Sequence, residues 1–200
     1  MQLDSNGLVS TSLGSVVVYF DGRQAPLLSV NSSQIEVIAP FGLDGASSTV
    51  VTAQYQGVRS NSVTANVVPA APGIFTQPPN GNTDGVIFDP SWTLVSKSNP
   101  AARGSTASIV FTGAGQTTPP GIDGHMENLT QEEPRQTVKV TIDGQAAPLV
   151  YAGTVPFLWD GVMMAQVTVP SGARTGTAVP VVITAGSSSS PANAATMWVK

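Results

Sequence analysis

The sequence contains no cysteine and a single histidine, His125. Without thiols there is no disulfide scaffold, no thiolate metal site and no cysteine nucleophile. One histidine leaves a transition-metal site to be completed by carboxylates alone, with Asp123 and Glu127 nearest in sequence. Charge is scarce as well. Asp, Glu, Lys and Arg make up 10% of the chain, against about 25% in an average globular protein. The eight Lys and Arg are scattered and the formal net charge is −4, so no basic patch exists to neutralise phosphates or an anionic bilayer, and nucleic acid is not an expected partner. No apolar run reaches the ~18 residues of a membrane span, so no membrane insertion is expected, and no basic-then-apolar export pattern opens the chain. There is no Gly-x-Ser-x-Gly elbow to raise a nucleophilic serine.

What is present is apolar enough, at 41%, to build a core. The surface is expected to carry Ser, Thr and Gly in place of Lys and Glu, which points to an extracellular or cell-surface β-protein. Twenty glycines and sixteen prolines break the chain into short runs such as Ser15–Phe20, Gln34–Ile38, Ser48–Ala53, Ser108–Phe111, Thr137–Ile142, Ala165–Val169 and Val179–Thr184. Several alternate with period two. Val138, Val140 and Ile142 face one way, Lys139 and Thr141 the other, as in a half-buried antiparallel strand. No helical period is sustained, and evenly spaced short strands predict an all-β sandwich.

An internal match organises these runs. Residues 16–29 read VVVYFDGRQAPLLS and residues 138–151 read VKVTIDGQAAPLVY. At a constant shift of 122, seven of the fourteen residues are identical, among them the Asp-Gly and Ala-Pro-Leu steps. The match resumes at Ile35–Pro40 and Ala165–Pro170, after an insertion of eight residues that holds Phe157, Leu158 and Trp159. Asp-Gly between β runs predicts a tight turn with positive φ, and Ala-Pro-Leu predicts re-entry as an edge segment, where proline loses no ladder bond. The expectation is therefore two tandem immunoglobulin-like antiparallel β-sandwiches, 1–69 and 70–200, joined by a stiff Pro69–Phe75 linker with Ile74 and Phe75 in the interface. The first copy has only Gly7–Gly14 ahead of its shared core and is expected to lack its first strand. The second has Gly85–Phe88 and Arg103–Phe111 as opening strands and a long polar loop over 112–136.

Three phrases accompany the match: Leu8–Gly14, Pro69–Thr76, and Asn99–Gly104 followed by Thr112-Gly113-Ala114-Gly115. With them the chain resembles, over nearly its whole length, the uncharacterised C-terminal domain of many large secreted acidobacterial (Solibacter-type) proteins. The resemblance implies export, tandem modules similar to the IPT/TIG class, and a place at the C-terminus of longer proteins. It carries over no catalytic or ligand residue. The segment 121–134, with His125 and three Glu, departs from the family pattern.

Candidate chemistry is sparse. His125 is read as a solvent-facing loop histidine, and no catalytic residue is assigned. Asn80, Asn82 and Asp84, followed by Gly85, mimic the start of a calcium loop, so Ca²⁺ is the only cofactor weighed, although the twelfth position is Ser91 and Asp89 substitutes only in part. Asn-Gly and Asp-Gly are also ordinary turn pairs. Glu127, Glu132 and Glu133 beside Arg135 read as a solvated charge cluster. Trp92, Phe157 and Trp159 lie in loop-like segments and are the ligand-binding candidates, as stacking platforms for a sugar or anchors for a partner; Trp198 reads as core or edge packing. The function expected is a non-catalytic structural or adhesion module that spaces other domains and contacts other protein domains or surface polymers. A carbohydrate-binding module using the loop tryptophans is the alternative, and a hydrolase domain a further one.

Overall fold

In the computed structural model, which describes residues 1–77, 83–126 and 131–200, the chain is all-β. Its only helical piece among the described residues is a single 3₁₀ turn at Phe41–Leu43. Residues 1–69 form β1 (Val16–Phe20), β2 (Arg23–Gln24), β3 (Leu27–Val30), β4 (Ile35–Val37), β5 (Ser48–Tyr55), β6 (Val58–Arg59) and β7 (Val63–Asn66). One sheet runs β2-β1-β5-β6 with β7 also on β5, and β3 and β4 pair separately.

From residue 70 onward come β8 (Gly73–Ile74), β9 (Ile87–Phe88), β10 (Thr106–Thr112), β11 (Thr117–Thr118), β12 (Glu133–Pro134), β13 (Val138–Ile142), β14 (Gln145–Ala147), β15 (Leu149–Thr154), β16 (Val162–Thr168), β17 (Gly176–Ala185), β18 (Ser188–Ser189) and β19 (Thr196–Val199). They make a sheet β15-β16-β10-β8 with β9 on β10, a sheet β14-β13-β17-β18 with β19 on β17, and a small β11-β12 pair. Ile109, Phe111 and Val167 of the first sheet meet Val140, Ile142, Val181 and Ile183 of the second in one buried cluster. Two antiparallel sheets sharing a core make a β-sandwich.

The alternating runs explain the layering. In β13 the pattern Val138, Val140, Ile142 is buried while Lys139 is exposed, as period two demands. Both Asp-Gly steps turn as their residue types require: Asp21 and Gly22 have φ of 48° and 80°, Asp143 and Gly144 of 55° and 71°, the left-handed pair that joins two strands tightly.

The pairings recur at the sequence shift. Val18 opposes Ala53 in β1/β5, and Val140 opposes Ile183 in β13/β17. In β3/β4 Leu27 faces Val37 and the register slips before Ser29 faces Glu36; in β15/β16 Leu149 faces Val167 and the register slips before Tyr151 faces Gln166. The Ala53 N–H donates to Ser60 Oγ at 3.0 Å, and the Ile183 N–H to Ser190 Oγ at 3.1 Å.

The halves differ in what covers these shared strands. In 70–200, β16 is flanked by β15 and β10. In 1–69, among the described residues, β4 pairs with β3 alone. Val16, Val18 and Leu27 are buried there, but Phe20, Ile35, Val37, Val51 and Ala53 are only partly so.

Residues 71–74 lie against β10 and its extension. Ile74 opposes Phe111 in β8/β10, and the Ala71 N–H donates to the Gly113 carbonyl at 2.9 Å. Gly113 and Gly115 have φ of 76° and 80°, and a Cβ on either would overlap the carbonyl oxygen of Ala71 or Pro69. The Gly-Ala-Gly phrase is thus the surface against which the Pro-Ala-Ala-Pro phrase runs.

Candidate binding site

The 112–136 segment is less irregular than its composition suggests. Thr117 and Thr118 pair with Pro134 and Glu133, and this turns Glu132 inward. Glu132 is only 4% exposed; its carboxylate accepts a bond from Thr117 Oγ1 at 2.9 Å, and its N–H donates to Thr154 Oγ1 at 3.1 Å. The expected solvated cluster is therefore corrected at Glu132. Glu133 is exposed, Arg135 Nη1 reaches Asp44 Oδ2 at 3.3 Å, and Glu127 lies outside the described residues.

The same segment straps the two halves together. The Phe41 N–H donates to Asp123 Oδ1 at 2.7 Å, and the Val9 N–H to the Gly124 carbonyl at 2.7 Å. Gly121 sits on the Phe41 ring, where a Cβ would overlap it. His125 differs from its expected role as a solvent-facing residue. Its Nδ1 lies 3.4 Å from Oδ1 of Asp160, which is fully buried, while the histidine side chain is 28% exposed. Asp160 Oδ2 accepts the Ile122 N–H at 2.9 Å, and the Asp160 N–H donates back to the His125 carbonyl at 2.9 Å. Met126 bridges Trp159. The two segments that the internal match leaves unexplained, 121–134 and 156–160, are thereby joined to each other.

A cleft of about 880 Å³ lies at the junction. Its lining comes from Ile35–Phe41 of the first half, the Val67–Ala71 linker with Phe75, and Gly113, Trp159 and Asp160 of the second half. Phe75 is 38% exposed and opens into it. A smaller trough of about 390 Å³ lies in the first half, lined by Val16 of β1, Ile35 of β4, Ala53 and Tyr55 of β5 and Val58 of β6. Ile35 borders both. A mostly apolar concavity with a few polar groups is the usual form of a binding site.

Of the three aromatic candidates, Trp159 is half-buried and lines the cleft. Phe157 is 71% exposed at a φ of 66° and stands outside the cleft lining, as does Trp92. Trp92 is 57% exposed, has a φ of 58°, and lies 5.9 Å from the Phe88 ring. The three do not share one platform. The cleft's other aromatics, Phe41 and Phe75, were missed as site residues; Phe75 was read only as interface packing.

For the calcium candidates, Asn80 and Asn82 lie outside the described residues. The Asp84 carboxylate accepts Trp198 Nε1–H at 3.1 Å and Thr196 Oγ1–H at 3.4 Å, which ties the 83–85 segment to β19. Among the described residues no group of three or more His, Asp or Glu is placed to hold a metal ion. Asp89 organises a turn: its Oδ1 accepts the N–H groups of Ser91 and Thr93, both at 2.9 Å, and its Oδ2 the Asn99 side chain at 3.0 Å. The Asn99 amide, then the Thr93 N–H, hold the Asp89 carboxyl below the usual carboxylate range.

No family model, curated protein or solved structure matches the chain.

Proposed function

We propose that the chain is two unequal copies of one immunoglobulin-like sandwich module and serves as a non-catalytic contact module of a secreted or cell-surface bacterial protein, holding a partner polypeptide at the junction of its halves. The observation that carries this is the apolar cleft of about 880 Å³ between them, walled by Phe41, Phe75 and Trp159. The repeated registers, down to the Ala53–Ser60 and Ile183–Ser190 bonds, support the two-copy origin. Aromatic anchors in an apolar recess are the usual energetic centre of a protein contact, and the sparse charge gives no electrostatic means of selecting a polyanion.

Adhesion tests it. Beads coated with the chain are washed over immobilised extracellular proteins and polysaccharides, with Phe41→Ala and Trp159→Ala as variants. Retention on protein that both variants reduce supports the proposal. Retention on no surface, or turnover of a panel of esters, peptides or glycosides by the chain, overturns it.

A second reading has one observation of its own: Trp92 presents more than half its surface to solvent beside the polar Asp89–Asn99 turn. That suits stacking on a sugar ring. Binding on a glycan array that Trp92→Ala abolishes would favour it over the protein contact.

A further inference from the structure

On the outer face of the first sheet the two copies carry different chemistry. Side chains alternate between the faces of a strand, so the burial of Val16 and Val18 turns Val17 and Tyr19 of β1 outward. Gln24 of β2 and Thr52 of β5 stand opposite Tyr19. Gln54 of β5 stands opposite both Val17 of β1 and Arg59 of β6. By the shared registers the counterparts of Tyr19, Gln24, Gln54 and Arg59 are Thr141, Ala146, Thr184 and Ser189. Small residues therefore satisfy the shared strands, and the fold does not call for the four larger polar groups.

Those four groups are organised as hydrogen-bond donors. The Arg59 guanidinium carbon lies 4.8 Å from the centre of the Tyr19 ring, and stacking of this kind holds the guanidinium plane. The Tyr19 hydroxyl donates to Gln54 Oε1 at 3.0 Å, and the Thr11 hydroxyl donates to Gln24 Oε1 at 2.8 Å. Both amide oxygens are thus taken, which leaves the Nε2–H groups of the two glutamines to donate outward. A guanidinium can only donate, and among the described residues Arg59 takes part in no salt bridge. The charge of the sheet agrees. Its strands β1, β2, β5, β6 and β7 hold two arginines and no Asp or Glu, in a chain with 12 acids against 8 Lys and Arg. Asp21, in the adjoining turn, has its carboxylate on the Val50 N–H at 2.9 Å.

We infer that this face binds an acidic sugar, a uronic-acid unit whose carboxylate takes the Arg59 fork while its ring and hydroxyl oxygens accept from Gln54. A stacked guanidinium presents two parallel N–H groups that match a planar carboxylate. Gln24, on β2 and so on the side of β1 away from β5, extends the donor row past Tyr19. Such a row suits a ligand with several oxygens around its carboxylate. The acidic side chain of a peptide brings the carboxylate oxygens alone. One directed ion pair reads one sugar unit, so the scarcity of charge along the chain does not oppose it. The face shares none of Phe41, Phe75 and Trp159 and goes beyond the contact proposed at the junction. The choice of counterparts rests on the two-copy reading, whereas the donor set stands without it.

The probe is sodium glucuronate, titrated into the whole chain and followed through the backbone amide resonances, with glucose, acetate, sulfate and triglutamate as separate arms. Saturable shifts centred on Tyr19, Gln54 and Arg59 are expected from glucuronate. Glucose lacks the carboxylate and acetate lacks the sugar oxygens, so each binds at least about fivefold more weakly. Arg59→Gln weakens glucuronate binding by about tenfold or more. Arg59→Lys, which keeps the charge and loses the planar fork, weakens it by about fivefold. Arg59 is exposed, so both variants should keep the melting temperature of the unmodified chain. Absence of saturable shifts, shifts centred elsewhere, or full affinity in either variant overturns the inference. Equal affinity for sulfate or acetate also overturns it, since the face would then hold an adventitious ion only. Tighter binding of triglutamate at the same amides overturns the sugar and makes the face a protein contact. Bead retention that depends on Phe41 and Trp159 does not involve Arg59, so the two proposals fail separately.

Discussion

Among the described residues, the Thr49 hydroxyl is the only buried side-chain polar atom that makes no hydrogen bond of ordinary geometry. Its counterpart in β17 is Val179, fully buried. The same chemistry therefore points to opposite choices at matched positions, and the valine avoids a desolvated hydroxyl. Thr49→Val is expected to stabilise the chain by about 1 kcal/mol, read as a higher midpoint in denaturant melts; a lower midpoint would mean that the hydroxyl has a partner. That partner would be Asp21. The nearby Thr49 hydroxyl, and then the Val50 N–H at 2.9 Å, hold the Asp21 carboxyl below the usual carboxylate range. Asp21 and Asp89 thus share one sign. A carboxylate whose folded pKa is depressed contributes stability that is fully present above its ordinary pKa and is lost as pH falls through the folded one. Melting temperature should fall on acidification below about pH 4, and the double variant Asp21→Asn, Asp89→Asn should flatten that fall. An unchanged acid slope would show that neither group is linked to folding.

At the scale of elements, the close approach of linker and β10 extension carries the sharpest expectation. Gly113→Ala must place a Cβ on the Ala71 carbonyl at a left-handed backbone, and is expected to cost at least about 2 kcal/mol. Gly57→Ala shares the positive φ with open space around it, and is expected to cost about 1 kcal/mol. Equal losses in urea melts would remove the linker contact as the reason for the glycine. The comparison also marks how far elements were legible in advance. β13 follows from alternating apolar residues, β1 and β17 from short β-branched runs, and the two Asp-Gly turns from the φ values only those residues reach easily. The β11–β12 pair was not legible, because two residues per strand leave no period to read. Burial of Glu132 follows from that pairing, a contact between residues far apart in sequence. Nor could spacing alone reveal that Asp84 answers to Trp198 or His125 to Asp160, since each bond joins residues far apart in sequence within 70–200. Trp159 was found because an insertion drew attention to it. Phe41 was not, because an isolated aromatic before a Gly-rich turn has many uses.

At the scale of the whole molecule, the unequal cores should unfold unequally. In 70–200 two sheets close over one cluster that includes Ile87, Ile109, Phe111, Ile142 and Ile183, all fully buried. In 1–69 the buried members of the cluster are Val16, Val18 and Leu27, and the hydrophobics packed against them are only partly buried, Ile35 and Val37 at the cleft and Ala53 at the trough. Apolar burial is the main favourable term in folding, so the first half has less to set against its chain entropy. It draws support from its neighbour through Asp123, Gly124 and the Arg135–Asp44 pair; that pair is half-exposed on both sides and adds little. Hydrogen exchange in rising urea should therefore show β1 and β5 losing protection before β13 and β17, although the two pairs share registers. Simultaneous loss at every denaturant concentration would mean that the strap makes one cooperative unit of both halves. Asp123→Ala, which frees the Phe41 N–H, separates the two cases. It lowers the first transition alone if the halves open independently, and the single transition if they do not.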